Sequence, residues 1–289
     1  MRANTFKTFL LLGVLSAILV GAGGAVAPGA LPLFLGLTAA MNLAAWFYSD
    51  RLVLRMNQAR PLDAGEAPAL RDTVAELAAR ADIPTPRLYL IDDPQPNAFA
   101  TGRNPEHGVV AVTTGLLRLL PAAEVRGVIA HEIAHIKNRD ILVASIAAML
   151  AGAVSFIGQA LQFGMLFGAG RSDEDEGSPL GGLAMAIVAP IAATLVQLGN
   201  SRSREYMADE LGARLAGDPE SLARALERLH QGVAVIPTEA ARPATASLFI
   251  VNPFSGAGGL TQLFSTHPPI EARVARLRAL TRAPRHLAA

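Results

Sequence analysis

The run His131-Glu132-Ile133-Ala134-His135 is where residue types and spacing most plainly suit chemistry. Read as helix, it puts two imidazoles one turn apart on a single face, about 5–6 Å between Cβ atoms, where both reach one metal ion. Glu132 lies beside them, able to take a proton from water as a general base. The bland reading is a coincidence on a helix surface. The chain has no cysteine, which excludes disulfides, thiolate zinc sites and a cysteine nucleophile, and leaves His, Asp and Glu as the strong ligands. A catalytic zinc takes a third protein ligand and keeps a fourth position open. In Ser203-Arg204-Glu205-Tyr206-Met207-Ala208-Asp209, two carboxylates stand one helical turn apart. Glu205 can then ligate while Asp209 accepts the free N–H of a ligating imidazole. Alone, that pair is a weak signal, because acidic helix faces are usually just solvated.

The elements around these residues must include a membrane anchor. Of 289 residues, 51% are hydrophobic and only 17% charged, where soluble domains carry about a quarter charged. The net charge of +1 offers no basic surplus to gather phosphates, so nucleic acid is set aside as a partner. Four stretches approach or exceed the roughly 20 residues a bilayer needs: Phe9 to Ala27, Ala30 to Tyr48, Ile141 to Ala169 and Pro179 to Leu198. Pro28 and Gly29 make the first two a tight hairpin, and the acidic loop around Asp173, Glu174, Asp175 and Glu176 makes the last two another. Basic residues flank the outer ends of both hairpins: Arg2 and Lys7, then Arg51, Arg55 and Arg60, then Lys137 and Arg139, then Arg202 and Arg204. That pattern places all four ends in the cytosol, with Trp46, Phe47 and Tyr48 as an aromatic belt. A cleaved signal peptide ending at Ala25-Val26-Ala27 is the competing reading of the N-terminus, but a second apolar run begins at once and would leave its basic flank on the wrong side.

The intervening chain reads as α+β. Leu70, Val74, Leu77 and Ala78 form the apolar stripe of a helix ending before Pro84. Arg87 to Ile91 and Val109 to Thr113 read as strands, with Asn104-Pro105-Glu106-His107-Gly108 closing a hairpin. A helix from Ala122 to Asn138 runs almost directly into the third span. Further helices are expected around Ser203 to Leu215, Pro219 to His230 and Pro269 to Leu280, with loop between Val235 and Phe264. The expected fold is mostly α with a small β-sheet: a multi-pass membrane protein with four transmembrane helices and a cytosolic zincin-like α+β catalytic domain. Its parts are an N-terminal hairpin (1–50), a first catalytic segment (51–140), a second hairpin (141–198) and a second catalytic segment (199–289).

Five blocks, Asn97 to Gly102, Thr114-Gly115-Leu116, His131 to Asp140, Ser201 to Asp209 and Thr266-His267-Pro268-Pro269, occur in an order that resembles the HtpX heat-shock proteases. These are membrane-bound zinc peptidases distantly related to the CAAX prenyl-protein endopeptidases. The resemblance covers nearly the whole chain. It implies His131, His135 and Glu205 as ligands of one zinc per subunit, Glu132 as base and Asp209 behind the ligands. It also implies that Asn97, Ala98, Phe99, Ala100 and Thr101 form an edge strand that pairs with an extended substrate backbone, a mode tolerant of sequence. His267 is similar in position to a histidine thought to stabilise the oxyanion; a helix-capping residue before Pro268-Pro269 is the alternative.

The expected activity is therefore zinc-dependent endopeptidase action on cytosolic segments of misfolded or damaged membrane proteins, from the bacterial inner membrane with the site facing the cytosol. The implied partners are polypeptides and the lipid bilayer. Two alternatives stand beside it. An intramembrane protease would carry its motif inside a span, yet Glu124, Arg126, Lys137, Asn138, Arg139 and Asp140 flank this one and are expensive at bilayer depth. A non-catalytic zinc-binding scaffold would close all four metal positions with protein ligands, and His267 would have to supply the fourth.

Overall fold

The computed structural model describes residues 6, 8–10, 12, 13, 16, 17, 20, 29, 31–63, 65–150, 194, 201–235, 249–251 and 268–282. Helix α1 (Leu31–Met56) leads into strand β1 (Arg60–Pro61), helix α2 (Pro68–Arg80) and strand β2 (Arg87–Ile91). Strand β3 (Ala98–Thr101) follows, then a 3-10 turn at Pro105–His107, strand β4 (Val109–Thr113), and helices α3 (Thr114–Leu119) and α4 (Ala122–Lys137). Helix α5 (Ile141–Leu150) starts after three intervening residues. Helices α6 (Arg202–Ala216), α7 (Pro219–Val235) and α8 (Ile270–Arg282) complete the described elements.

The four strands lie in the order β1-β2-β4-β3. Strand β4 runs parallel to β2 and antiparallel to β3, so β3 is an edge. All five residues of β4 are buried, as expected for a strand covered on both faces. Because side chains alternate along a strand, Ala98 and Ala100 share one face with Val110 and Val112, and Phe99 shares the other with Val109 and Ala111. The first face packs on α2 and α4, where the predicted stripe Leu70, Val74, Leu77 and Ala78 is buried throughout. The second face is covered by Val53 and Leu54 of α1 and Ala148 of α5. Helix α4 is buried nearly all round from Val125 to Ile136, including the polar His131 and Glu132, and packs in the main core of the module.

Among the described residues, α1 is the one helix long and apolar enough to cross a membrane; at about 1.5 Å per residue its 26 residues exceed a ~30 Å hydrocarbon core. Leu33, Leu35, Leu37, Leu43 and Phe47 on it are exposed. Phe9 stacks on Trp46 at 6.5 Å between ring centroids and Asn42 donates to Ser16 Oγ at 2.8 Å, so the N-terminal segment runs antiparallel beside α1. The helix continues eight residues beyond the Tyr48 end expected from hydropathy. Past that point it is amphipathic, burying Val53 and Leu54 against the sheet while Arg51 and Arg55 stay exposed. Of the other expected spans, Phe9 to Ala27 and Ile141 to Ala169 are described only in part and Pro179 to Leu198 only at residue 194. Helix α3 has no counterpart among the expected elements; α2, α4, α6, α7 and α8 fall within a few residues of expectation, α7 running five residues past His230.

Candidate metal centre

His131 and His135 leave α4 on one face, and their Nε2 atoms are 3.2 Å apart with the rings edge to face. Helix α6 crosses α4 directly above them. The crossing needs Gly212, where a Cβ would fall 2.9 Å from the backbone N and Cα of His131. That close approach brings Glu205 down onto the pair: Oε2 lies 3.7 Å from His131 Nε2 and Oε1 lies 3.6 Å from His135 Nε2. Ligand atoms around a tetrahedral ion bonded at about 2.0–2.2 Å are separated by roughly 3.3–3.6 Å. The two contacts to Glu205 end on different carboxylate oxygens, and one ligand atom from each of the three residues lies within 4.8 Å of the others, a grouping that could hold one small divalent cation. The side chains of His131 and Glu205 are 1–2% exposed and that of His135 is 15% exposed, so solvent reaches the centre over His135.

The far side of each imidazole meets its own carboxylate. His131 Nδ1 is 3.0 Å from Asp209 Oδ1, and His135 Nδ1 is 3.2 Å from Asp140 Oδ2. With an N–H on Nδ1, both Nε2 lone pairs point to the centre. Asp140 gets there because α4 ends in a left-handed turn at Arg139, φ 58°, closed by Arg139 N–H to Ile136 O and Asp140 N–H to His135 O. Behind each carboxylate stands an arginine. Arg273 of α8 is fully buried and clamps Asp209 with bonds of 2.6 and 2.8 Å, while Arg204 Nη1 lies 3.8 Å from Asp140 Oδ1. Arg273 also donates to Ile250 O at 3.1 Å and sits 3.8 Å from Glu205.

Electrostatics separate the groups. Burial pushes the Glu132 carboxyl up to about 8, with the His135 charge and the Ala100 N–H bonded to it pulling the other way. Burial drives His131 down to about 4 against the pull of Asp209. For His135 burial also opposes the charge, but the Asp140 bond and the Glu205 and Glu132 carboxylates outweigh it and lift the imidazole to about 9. Burial works against the Asp209 charge too; Arg273 overcomes it and holds that carboxyl well below the usual range.

Of the residues singled out from sequence, the structure brings His131, Glu132, His135, Glu205 and Asp209 together. Ala98, Phe99, Ala100 and Thr101 are strand β3, and Asn97 precedes it, its Oδ1 accepting from Ile250 N–H at 3.2 Å. His267 lies outside the described residues. Asp140, Arg204 and Arg273 escaped sequence reasoning: Arg204 reads as a span-flanking charge, and nothing around Arg273 marks it as part of a site 64 residues upstream.

Residues 64–281 match the model of peptidase family M48. The chain belongs to family M48. It is a metalloprotease, with His131, His135 and Glu205 grouped where they could hold a metal ion. The M48 chain is 54% identical over 282 residues to a protease HtpX homolog of Syntrophobacter fumaroxidans, covering 96% of this chain and 99% of that one. It is 52% identical to the homolog of Pelotomaculum thermopropionicum over 96% and 99% of the two chains, and 46% identical to that of Burkholderia mallei over 98% and 99%. Among solved structures, S. mikatae Ste24p matches 94% of this chain and 67% of its own at 18% identity and TM-score 0.46.

Proposed function

We propose that the chain is a membrane-anchored zinc endopeptidase that hydrolyses peptide bonds in cytosolic segments of misfolded or damaged membrane proteins at a bacterial inner membrane. The observation that carries the chemistry is the convergence of two imidazoles and one carboxylate, 3.2 to 3.7 Å apart, with Glu132 beside them. His131, His135 and Glu205 would hold zinc, which when bound supplies Lewis acidity to a water and a carbonyl oxygen. Asp209 and Asp140 fix the imidazole tautomers. Glu132, its carboxyl raised toward neutrality, takes a proton from the attacking water and returns it to the leaving amine. As the outer strand of the described sheet, β3 is the strand with which an extended polypeptide would pair, a mode that suits many sequences, and its four residues are buried in this structure. Helix α1, the basic residues Arg51 and Arg55 in its last turns and Arg60 after it, and the HtpX relatives support a multi-pass inner-membrane protein facing the cytosol.

The test is zinc content and casein cleavage of protein purified in detergent with chelator and then reloaded, wild type beside Glu132→Gln. The expected result is one zinc in both, with cleavage lower in the variant by about 10²- to 10⁴-fold. Normal cleavage by Glu132→Gln would overturn the assignment of the base.

A further inference from the structure

Phe249, Ile250 and Val251 are buried yet belong to no helix or strand. A buried backbone outside regular structure still needs partners for its N–H and C=O groups. At Ile250 both partners are side chains: the N–H donates to Asn97 Oδ1 at 3.2 Å, and the carbonyl accepts from Arg273 Nη1 at 3.1 Å. Asn97 is itself held in place, its backbone N–H donating to Thr113 Oγ1 at 2.8 Å and its carbonyl accepting from Thr113 N–H at 2.9 Å. The side chains of Ile250 and Val251 join the main core. The segment is thus seated by one side chain that precedes β3 and one from α8.

The second of these side chains also backs the metal centre. A guanidinium is planar, and its donors are fixed relative to one another. Arg273 gives Nε and Nη2 to the two oxygens of Asp209, at 2.8 and 2.6 Å, which leaves Nη1 for Ile250 O. Asp209 in turn lies 3.0 Å from His131 Nδ1, and Arg273 Nη1 stands 3.8 Å from Glu205 Oε2. Arg273 is fully buried, so no water replaces a bond that it loses. Turning its plane to follow a displaced Ile250 carbonyl would twist the fork out of the Asp209 carboxylate, and with it the imidazole that Asp209 aligns. A run of bonded groups therefore leads from His131 through Asp209, Arg273 and Ile250 to Asn97.

We propose that Arg273 is a positioning residue that couples metal binding at His131 and Glu205 to the seating of Phe249-Ile250-Val251. Its guanidinium satisfies Asp209 and Ile250 O together only when the segment is seated, and in that arrangement Asp209 holds His131 ready to ligate. The coupling is reciprocal by linkage: bound zinc holds the segment down by the same factor as the seated segment tightens zinc. Asn97 takes part from the other side, because its Oδ1 fixes the Ile250 N–H. The proposal rests on the reading of His131, His135 and Glu205 as metal ligands.

The test uses the full-length protein in detergent, metal-free and zinc-loaded. Zinc affinity is measured by competition with a chromogenic chelator, and hydrogen exchange of a peptide spanning Phe249 to Val251 by mass spectrometry. In the wild type, zinc should slow exchange of that peptide about fivefold or more, from the low end of usual couplings between sites. Asn97→Ala, which leaves every metal ligand and Asp209 in place, should bind zinc about fivefold more weakly. Arg273→Lys keeps the charge but loses the fork, and should bind zinc about tenfold more weakly. In that variant the peptide should also stop responding to zinc, a response that a residue merely filling the core would leave intact. Exchange unchanged by zinc in the wild type, or wild-type zinc affinity in Asn97→Ala, would overturn the coupling alone; a wild type that binds no zinc would overturn the metal-centre reading beneath it.

Discussion

Each imidazole of the metal centre is backed by a carboxylate, and each carboxylate by a buried arginine, so the cost of keeping charge away from water is shared along two short chains. The Asp209 and Arg273 pair is the deeper, with side chains 4% and 0% exposed. Removing one partner strands the other, which for buried pairs costs about 3–5 kcal/mol, whereas replacing both with apolar groups costs far less. Asp209→Ala is therefore expected to lower the thermal midpoint sharply in the presence of chelator, where metal loss plays no part, and Asp209→Ala combined with Arg273→Met should recover much of that loss. Zinc affinity of Asp209→Ala should fall about 10- to 100-fold. A midpoint unchanged by Asp209→Ala would mean that the pair does not join α6 to α8. The pairing of His131 with His135 was legible because its spacing is local: i and i+4 on one helix mean the same thing in a sequence and in a structure. Arg273 and Arg204 were not, because a guanidinium becomes part of a site only when tertiary packing buries it, and their neighbours in sequence look like ordinary charged helix.

At the scale of elements, the site exists because α6 crosses α4 within backbone contact, and Gly212 is what permits the crossing. Gly212→Ala would set a methyl 2.9 Å from the His131 backbone, which lies inside a helix and cannot yield as a side chain tip can. The expected cost is about 1–3 kcal/mol, relieved by lifting α6 and Glu205 away from the histidines. Zinc should then be lost on dialysis faster than from the wild type while far-UV circular dichroism is unchanged; equal retention would show that the crossing has slack. Strands β2 and β4 and helix α4 were legible because their apolar patterns are long and bounded by turn residues. Strand β1 is two residues and carries no period. Helix α3 is hidden for another reason: Thr113, the last residue of β4, also accepts from Leu116 N–H at 3.1 Å as the cap of the next helix, so strand and helix share a residue without a loop between them.

Across the whole molecule, the arrangement least legible in the sequence is the order of the sheet, since parallel pairing of β2 with β4 around an edge strand depends on which faces the helices cover. The structure covers one of those faces with α1, the membrane-span candidate, and α5. Val53 and Leu54, 0% and 4% exposed, cap Ile91, Phe99, Val109 and Ala111, so α1, the membrane-span candidate, is also part of the fold that holds the site. Burying two such side chains contributes roughly 3–6 kcal/mol, a large share of the 5–15 kcal/mol by which domains are usually stable. A chain beginning at Arg60 is accordingly expected to aggregate in detergent and bind no zinc, while one beginning at Asp50 keeps Val53, Leu54 and the Arg87 to Asp50 ion pair at 3.3 Å. Both retain residues 141–198, so the comparison isolates the last turns of α1. Size-exclusion profiles with zinc per chain decide it: equal behaviour would leave α1 outside the fold of the site, whereas loss in the shorter chain alone would tie β3, through Phe99, to the last turns of α1.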